Sequence, residues 1–238
     1  MNRFKLLQGL IEEHGYQNFL EIGTHKGKTF LPLECKNKTA VDPNFKISIP
    51  FIIKWLFKKP SNFKNRYFSM TSDAFFQKKG SYLKKNGGPD LVFIDGLHTF
   101  EASLKDVLNS LKYLNPNGAI VLHDCFPPTK ASATPAVSLK EAAKMNIPDW
   151  EGSWCGDVWK TIYYLKKYYS DVLDIKVLNT DLGLGLIRLN GINTPDIHIL
   201  SEWFSQVNIL TYDELSHDPE NLIGLVEVEF FKQSENKI

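Results

Sequence analysis

Two pairs of acidic and imidazole side chains follow two short apolar runs, in an arrangement suited to proton transfer. Asp95 and His98 lie three residues apart after the run LVFI, and His123 and Asp124 come directly after AIVL. A neutral imidazole is available at neutral pH because its unperturbed pKa is about 6.5, and a neighbouring carboxylate orients the ring and raises its basicity. We therefore predict catalytic roles for His98, as general base, and for Asp95.

The same side chains allow other interpretations. His98 could belong to the start of a helix that begins at Thr99, and His123 and Asp124 could end a strand by hydrogen bonding to the next loop. A metal held by these groups could instead activate water, which would make the protein a metal-dependent hydrolase. The sequence leaves these alternatives open.

A glycine-bearing segment near the N-terminus has the features of a ligand-binding turn. The run NFLEI ends at GTHKGKT, which places Glu21, Gly23 and Gly27 around the end of a strand. Glycines permit a sharp turn there and let a ligand approach the backbone closely. Asp42 closes the next apolar run 19 residues after Gly23, where a carboxylate can accept hydrogen bonds from both hydroxyls of a ribose. The pattern predicts a crevice for a nucleoside.

Two familiar nucleotide motifs do not describe this loop. A P-loop has four residues between its first glycine and its GK[ST] end, whereas Gly23 and Gly27 enclose three. A dinucleotide fingerprint needs a glycine where this chain has His25. Plain turn glycines, with Asp42 capping a turn at Pro43, remain the alternative interpretation.

Strand and helix patterns alternate over most of the chain, which predicts a parallel α/β sheet with helices on both faces. Leucine and isoleucine at helical spacing predict a first helix ending near Gly15, and a turn near Asp181 and Gly183 predicts an antiparallel hairpin. The predicted strands cover residues 18–22, 39–42, 68–70, 91–95 and 119–124, and the predicted helices cover 3–14, 72–85, 100–114 and 155–169.

Several of these motifs resemble those of a known enzyme family. FLEIGTHKGKT and TAVDP resemble the first two motifs of class I S-adenosylmethionine-dependent methyltransferases. DLVFIDGLHTFEASLKDVLNSLKYLNPNGAIVLHDC is similar throughout to the fourth and fifth motifs of methyltransferase family 24, which contains bacterial small-molecule O-methyltransferases, and YFSMTSDAFF resembles that family's segment after strand three. The resemblance covers residues 17–125 and returns, less specifically, in GDVWK and NTDLGLGLI.

The resemblance implies a Rossmann-like fold and an organisation of the chain. We expect a mostly parallel seven-stranded sheet with helices on both faces and an antiparallel C-terminal hairpin at one edge. Residues 1–190 would form the methyltransferase domain, and residues 191–238 would be a C-terminal appendage. Residues 46–66 are a candidate lid insertion within that domain.

The resemblance also implies S-adenosylmethionine as the cofactor and a set of residues that hold it. Glu21 and the backbone from Gly23 to Gly27, including Thr24, would hold its amino acid end. Asp42 would bind the ribose. The residues expected near the adenine edge are Thr71, Ser72 and Asp73, and Asp95 would also contact the cofactor.

A divalent metal is a further implication. In related metal-dependent O-methyltransferases the position of Asp95 binds a cation, and a pair at the end of strand five completes the site. That pair is His123 and Asp124 in this chain. Oxygen ligands alone would suit magnesium, whereas an imidazole ligand would favour manganese or another transition ion. His123 could also turn away and leave Asp95 and Asp124 as the ligands.

Composition excludes several classes of protein. The 28 Lys and Arg nearly balance the 27 Asp and Glu, which argues against a nucleic-acid partner across the whole surface. Three cysteines without a CxxC pair fit a reducing compartment, and no apolar run of membrane-spanning length is present. We expect a soluble cytoplasmic protein with a small-molecule acceptor, and a homodimer as its assembly.

Charge is concentrated in one segment. Residues 43–89 carry ten Lys or Arg against one acid, and within them KISIPFIIKWLFKKP mixes lysines with large apolar side chains. Three interpretations are open for residues 46–66: a crossover helix packed on the sheet, a mobile lid, and a surface for peripheral contact with anionic lipid.

These observations together predict an S-adenosylmethionine-dependent methyltransferase that acts on a hydroxyl of a small molecule, such as a sugar or a natural-product intermediate. The alternatives are the metal-dependent hydrolase and a non-catalytic binding module held to a membrane or a partner by the basic segment.

Overall fold

The computed structural model describes residues 1–191 and 198–229, which form nine helices and eight strands. The helices are α1 (Arg3–His14), α2 (Ile49–Lys58), α3 (Ser72–Lys85), α4 (Phe100–Leu111), α5 (Leu139–Lys144), α6 (Trp159–Tyr169), α7 (Ser201–Asn208), α8 (Tyr212–His217) and α9 (Pro219–Ile223), with a 3₁₀ helix at Pro60–Lys64. The strands are β1 (Asn18–Ile22), β2 (Asn37–Val41), β3 (Arg66–Phe68), β4 (Leu91–Ile94), β5 (Ala119–Leu122), β6 (Leu173–Leu178), β7 (Leu184–Leu189) and β8 (Leu225–Val226).

All eight strands belong to one sheet with the order β3-β2-β1-β4-β5-β7-β6-β8. Strands β1 to β5 are parallel to their neighbours, and the hairpin of β6 and β7 joins antiparallel to β5. The predicted α/β class and the antiparallel hairpin are therefore confirmed. The sheet has one strand more than the seven expected, because Leu225–Val226 pairs with the outer side of β6.

The central strands are continuous apolar runs because helices cover both faces of the sheet. Every residue of β4 and β5 is buried. Val92 and Ile94 point into one core layer, whereas Leu91 and Phe93 point into the other. This alternation follows from the two-residue repeat of a strand, and it fixes the register of the strand ends that carry Asp95 and His123.

Side-chain caps begin the helices that flank the site. Thr71 accepts a hydrogen bond from the backbone of Ala74 at the start of α3, and Thr99 does the same for Ala102 at the start of α4. Such caps satisfy backbone N–H groups that have no partner within the helix. His98 therefore lies one residue before the N-cap of α4, as one interpretation of the sequence proposed.

Residues 46–66 make up most of the connection from β2 to β3, end on the first residue of β3, and contain α2 and the 3₁₀ helix. Phe51, Ile52 and Trp55 pack against the core, so the segment has the position of a crossover helix. Lys38 holds the 3₁₀ helix of this segment in place. Its buried ammonium donates to Asn62 Oδ1 at 2.6 Å and to the backbone carbonyls of residues 30 and 33.

The expected C-terminal appendage packs on the rest of the molecule over its described residues, 198–229. Val207, Leu215 and Ile223 are fully buried in the same core layer as the strands. Strand β8 extends the sheet beyond β6. The residues of this segment at 192–197 and 230–238 lie outside the described part of the chain. None of the helices in residues 1–191 and 198–229 combines the length and the apolar character needed to cross a bilayer.

Candidate functional site

A cavity of about 730 Å³ lies at the carboxyl ends of β1, β2 and β4. The loop after each of these strands contributes to its wall, and so do the first turn of α3 and one face of α4. Open parallel sheets bind ligands at this edge because the loops diverge there and leave a crevice. Of the predicted cofactor residues, Gly23, Asp42, Ser72, Asp73 and Asp95 line the cavity.

Gly23 allows the loops after β1 and β4 to touch. Its φ of 84° lies in the left-handed region, and a Cβ at this position would overlap the backbone carbonyl of Asp95. A side chain would therefore be strained and would push the two loops apart. Gly27 has a φ of 67°, and a Cβ there would be crowded by the side chain of Ile47. Gly27 thus serves the packing of the loop against the crossover segment.

Asp42 is held at the rim by the backbone around it. One carboxylate oxygen accepts from the N–H of His25 at 2.7 Å, and the other accepts from the N–H of Asn44 at 2.6 Å. Each oxygen keeps a further lone pair for a ligand hydroxyl. The side chain is buried yet lines the cavity, which is the geometry predicted for a ribose-binding carboxylate.

Glu21, in β1, and Thr24, in the loop after β1, are both buried. Within the described residues, Glu21 Oε2 and Thr24 Oγ1 have no hydrogen-bond partner. Burial raises the pKa of Glu21 well above its ordinary value, and the nearby charge of Asp95 acts in the same direction. A buried polar atom without a partner is costly, so a bound group that supplies hydrogen bonds would stabilise this loop.

Asp106, on the buried face of α4, is a cavity residue that the sequence analysis missed. Burial raises the pKa of its carboxyl to about 7, and the charge of Asp73 adds to this effect, while a hydrogen bond from Ser72 opposes it. A carboxylate among the large apolar residues of the buried helix face was the one available signal. The wall of the cavity therefore contains a carboxyl group, that of Asp106, which can hold a proton near neutral pH.

Asp95, His98 and Asp124 meet beside the cavity. Their ligand atoms all lie within 4.8 Å of one another, close enough to share one cation. His98 Nε2 lies 3.2 Å from Asp124 Oδ2 and 3.6 Å from Asp95 Oδ1. The prediction that the ends of β4 and β5 bring these side chains together agrees with this geometry.

Trp154 fixes the orientation of the His98 ring. Nδ1 of His98 lies 2.8 Å from the backbone carbonyl oxygen of Trp154, and the two rings stack with centroids 4.9 Å apart. Because a carbonyl only accepts, Nδ1 carries the proton, and in the neutral ring the lone pair is on Nε2. That lone pair faces two carboxylates, which fits either a bound cation or a proton between them. Burial lowers the pKa of His98, but contacts with Asp95 and Asp124 outweigh it and raise the pKa overall.

His123 contacts the carboxylates without joining that ligand group. Its Nδ1 lies 2.9 Å from Asp124 Oδ2, and its Nε2 lies 3.6 Å from Asp181 Oδ1, although neither contact has hydrogen-bond geometry. Burial lowers the pKa of this imidazole, but Asp124, Asp181 and Asp95 outweigh burial and raise the pKa to about 11. The geometry thus groups His98, and not His123, with the two aspartates.

Arg3 and Asp181 also belong to this cluster. Arg3 Nη1 lies 2.8 Å from Asp95 Oδ2, and its Nε and Nη2 donate to the two oxygens of Asp181 at 3.0 and 2.9 Å. The guanidinium and the two imidazoles hold the pKa of Asp95 below its ordinary value despite burial, which acts the other way. The start of α1 and the turn of the β6–β7 hairpin are thereby tied to the end of β4. Sequence reasoning found neither residue's role.

The polar and aromatic side chains at the start of α6 and just before it lie in two different places. Trp154 lies against His98, and its indole donates to the carbonyl of Thr134 at 2.8 Å. Trp159 is a core residue with 1% of its surface exposed. Asp157 and Lys160 line a second cavity of about 320 Å³, distinct from the cavity beside His98. Of these side chains, Trp154 is thus the one that contacts His98.

A family model matches the part of the chain that contains the site. Residues 20–125 match methyltransferase family 24, described as a methyltransferase domain. The matched region runs from β1 to the end of β5 and includes every predicted cofactor and metal residue. No curated protein matches the chain significantly.

Solved structures of methyltransferases share the fold. A putative caffeoyl-CoA O-methyltransferase from Staphylococcus aureus aligns with a TM-score of 0.54 and 17% identity, over 79% of this chain and 82% of that chain. The S-adenosylhomocysteine-bound methyltransferase PaMTH1 from Podospora anserina aligns with a TM-score of 0.52 and 17% identity, over 79% and 78%.

A third similar structure is the O-methyltransferase TomG from Streptomyces achromogenes, which is involved in tomaymycin synthesis and was solved with S-adenosylmethionine. It aligns with a TM-score of 0.52 and 14% identity, over 79% of this chain and 80% of that chain. At such low identities the similarity establishes a common fold.

Proposed function

We propose that this protein, in which residues 20–125 match a methyltransferase family model, is an S-adenosylmethionine-dependent methyltransferase with a domain over residues 1–190, and that it methylates a hydroxyl oxygen of a small molecule. A sugar or a natural-product intermediate is the acceptor class we favour. The observation that carries the proposal is the meeting of His98 with Asp95 and Asp124 at the edge of the cofactor cavity. An alcohol must lose its proton as it is methylated, and these groups are placed to receive it.

We infer that the cofactor occupies the cavity at the ends of β1, β2 and β4. Asp42 would accept hydrogen bonds from the ribose hydroxyls, and the first turn of α3, with Ser72 and Asp73, would lie along the adenine. The loop at Gly23, which lines the cavity, would hold the amino acid end of the cofactor, near the unpaired atoms of Glu21 and Thr24. The bound cofactor supplies a methyl group on a sulfonium, and the protein supplies alignment.

We propose His98 as the general base. The Trp154 carbonyl holds the ring with Nε2 directed at the site, so Nε2 can take the proton of the acceptor hydroxyl. Bound S-adenosylmethionine would supply its methyl group to the deprotonated acceptor oxygen and would be released as S-adenosylhomocysteine. Because charge is neutralised in this step, an enclosed pocket that aligns the reactants accounts for much of the rate. Arg3 orients Asp95 through its 2.8 Å contact.

We propose Asp95 and Asp124 as ligands of a divalent cation. The donor set fits, because carboxylate oxygens of Asp95 and Asp124 lie within the reach of a single ion. Two carboxylates suit magnesium, whereas an imidazole ligand such as His123 would favour manganese, and His98 beside them keeps its lone pair for the proton. When bound, the cation would lower the pKa of an acceptor hydroxyl. His123 remains a predicted ligand, although its contacts with three carboxylates favour a charged ring that holds the cluster together.

The cellular compartment, the acceptor class and the assembly of the protein are also proposals. Cys35, Cys125 and Cys155 are free and buried, which fits a reducing compartment such as the cytoplasm. The net charge of +1 favours a small-molecule acceptor over nucleic acid. A homodimer stays a prediction, and light scattering at several concentrations would test it.

Release of S-adenosylhomocysteine measured against a panel of hydroxylated sugars and aromatic compounds would test the function. We expect turnover with at least one acceptor class, loss of turnover on chelation, and recovery with magnesium or manganese. His98→Gln should lower kcat at least about a hundredfold and leave cofactor affinity unchanged, as expected for loss of a general base. His217→Gln, at an exposed histidine, is the matched control. Unchanged turnover in His98→Gln would exclude His98 as the base.

A further inference from the structure

Helix α2 carries an apolar stripe on its outer side. Ile49, Ile53 and Phe57 are spaced four residues apart, so they lie along one face, and they are 71%, 48% and 85% exposed. Phe63, on the 3₁₀ helix that follows, is 74% exposed. A stripe of large apolar side chains in water marks an interaction surface, since scattered single residues are the ordinary case.

The opposite side of α2 is already occupied. Phe51, Ile52 and Trp55 pack against the core, and the backbone carbonyl of Trp55 accepts from the buried side chain of Asn62 at 3.0 Å. The helix is therefore fastened to the protein by its inner side. Its outer stripe is held facing away from the core, in a fixed orientation.

Lysines lie beside the apolar stripe. Lys54 and Lys58 are exposed and follow Ile53 and Phe57 directly, so they border the stripe along its length. The chain has no acidic residue between Asp42 and Asp73. In the described part of the chain, neither Lys54 nor Lys58 has a carboxylate within ion-pair distance. The surface is thus apolar along its centre and cationic at its border.

We propose that the outer face of α2, defined by Ile49, Ile53, Phe57, Lys54 and Lys58, docks on the surface of an anionic phospholipid membrane. Helices of this kind lie in the plane of the bilayer interface, with apolar side chains among the acyl chains and lysines against the headgroups. Charge selects this occupant over a second copy of the chain. A two-fold contact through α2 would place Lys54 and Lys58 of each copy close to those of the other.

The position of α2 would bring a docked membrane close to the cofactor cavity. The loop between β2 and α2 lines the cofactor cavity through Asn44 and Lys46, a few residues before the helix begins. A membrane held by α2 would therefore lie near the cofactor site. An amphiphilic acceptor could reach the site from the lipid surface, but docking itself does not depend on methyl transfer.

Vesicle sedimentation of the full chain, without cofactor, tests the proposal. We expect the protein to sediment with vesicles that contain about one third phosphatidylglycerol, to stay in solution with pure phosphatidylcholine, and to be released by salt. The double variant Ile53→Ser with Phe57→Ser should bind at least about tenfold more weakly. The double variant Lys54→Gln with Lys58→Gln should lose about fivefold per lysine and most of the salt dependence.

Controls distinguish docking through this surface from nonspecific adsorption of apolar side chains and from self-association. Ile209→Ser removes an apolar side chain that is 77% exposed on another part of the molecule, and it should bind as the native protein does. Because all the substituted side chains are exposed, the variants should keep the native unfolding temperature. The proposal is overturned if the native protein ignores anionic vesicles or if Ile209→Ser weakens binding equally. It is also overturned if light scattering shows a dimer that the Ile53→Ser, Phe57→Ser variant converts to a monomer.

Discussion

Replacing Asp106 by asparagine should remove one component of the pH dependence of stability. The side chain is 3% exposed, and burial raises its pKa from 3.8 to about 7. The folded protein therefore binds this proton more tightly than the unfolded chain does. The stability contributed by the protonated carboxyl is complete below about pH 4 and is lost as the pH rises through about 7. Asparagine has the same shape and does not titrate.

The size of the effect follows from the shift. A difference of about 3 pKa units corresponds to about 4 kcal/mol in the free energy of unfolding, as an upper bound. About 2 to 3 kcal/mol of this falls between pH 5 and pH 8 by the linkage relation. The stability of Asp106→Asn relative to the native protein should thus rise by that amount over the interval. The comparison of variant with native protein cancels the titration of other groups.

Urea unfolding of both proteins at pH 5 and pH 8 is the measurement. Asp171→Asn, at an exposed aspartate, is the matched control and should follow the native protein at both pH values. If the difference between Asp106→Asn and the native protein is the same at pH 5 and pH 8, Asp106 does not carry a raised pKa. The inferred chemistry of the cavity wall would then be wrong.

Two further substitutions test the packing that supports the site. Lys38→Met removes the buried ammonium that donates to Asn62 and two backbone carbonyls, and urea unfolding should show a loss of about 2 kcal/mol; unchanged stability would contradict this role. Gly23→Ala places a methyl group against the Asp95 carbonyl at a positive φ, so calorimetry should show at least about tenfold weaker S-adenosylhomocysteine binding or no stable fold. Gly9→Ala is the control, because a Cβ there meets no atom within 4 Å, and it should instead raise the free energy of unfolding by about 0.5 to 1 kcal/mol. If Gly23→Ala behaves like the native protein, the close approach of Gly23 to the Asp95 carbonyl is refuted.

The buried core of the fold was predictable because its strands lie between two layers of helices. Strand β1 was predicted with its observed bounds, and β4 and β5 were predicted within two residues, since parallel strands buried on both faces are continuous apolar runs. Helix α3 was also predicted with its observed bounds from its helical pattern, and in the structure the Thr71 side chain caps its first turn.

The sheet edges were harder to predict. Strand β3 lies at Arg66–Phe68 and not at 68–70, because an edge strand with exposed side chains has no apolar pattern to locate it. Strand β8 has two residues, which is too short for any periodicity. Its position beside β6 depends on the packing of α9 against α6, which the local sequence does not encode.

The candidate site was predictable where it follows from topology. Asp95 and Asp124 end neighbouring parallel strands, so they must lie close together. Arg3 and Asp181 were not found, because their pairing joins residues 178 positions apart through tertiary packing. The sequence likewise could not decide whether His98 or His123 groups with the carboxylates of Asp95 and Asp124, because this depends on the directions of the two imidazole side chains.

The central claim is that the ends of β1 and β2 hold an S-adenosyl ligand, with Asp42 on its ribose. Calorimetric titration of S-adenosylhomocysteine into the native protein and into Asp42→Asn tests it most directly. We expect one ligand per chain for the native protein and at least about tenfold weaker binding for Asp42→Asn, because the amide offers one acceptor oxygen and no charge. Absence of binding to the native protein, or equal affinity in both proteins, would contradict the account.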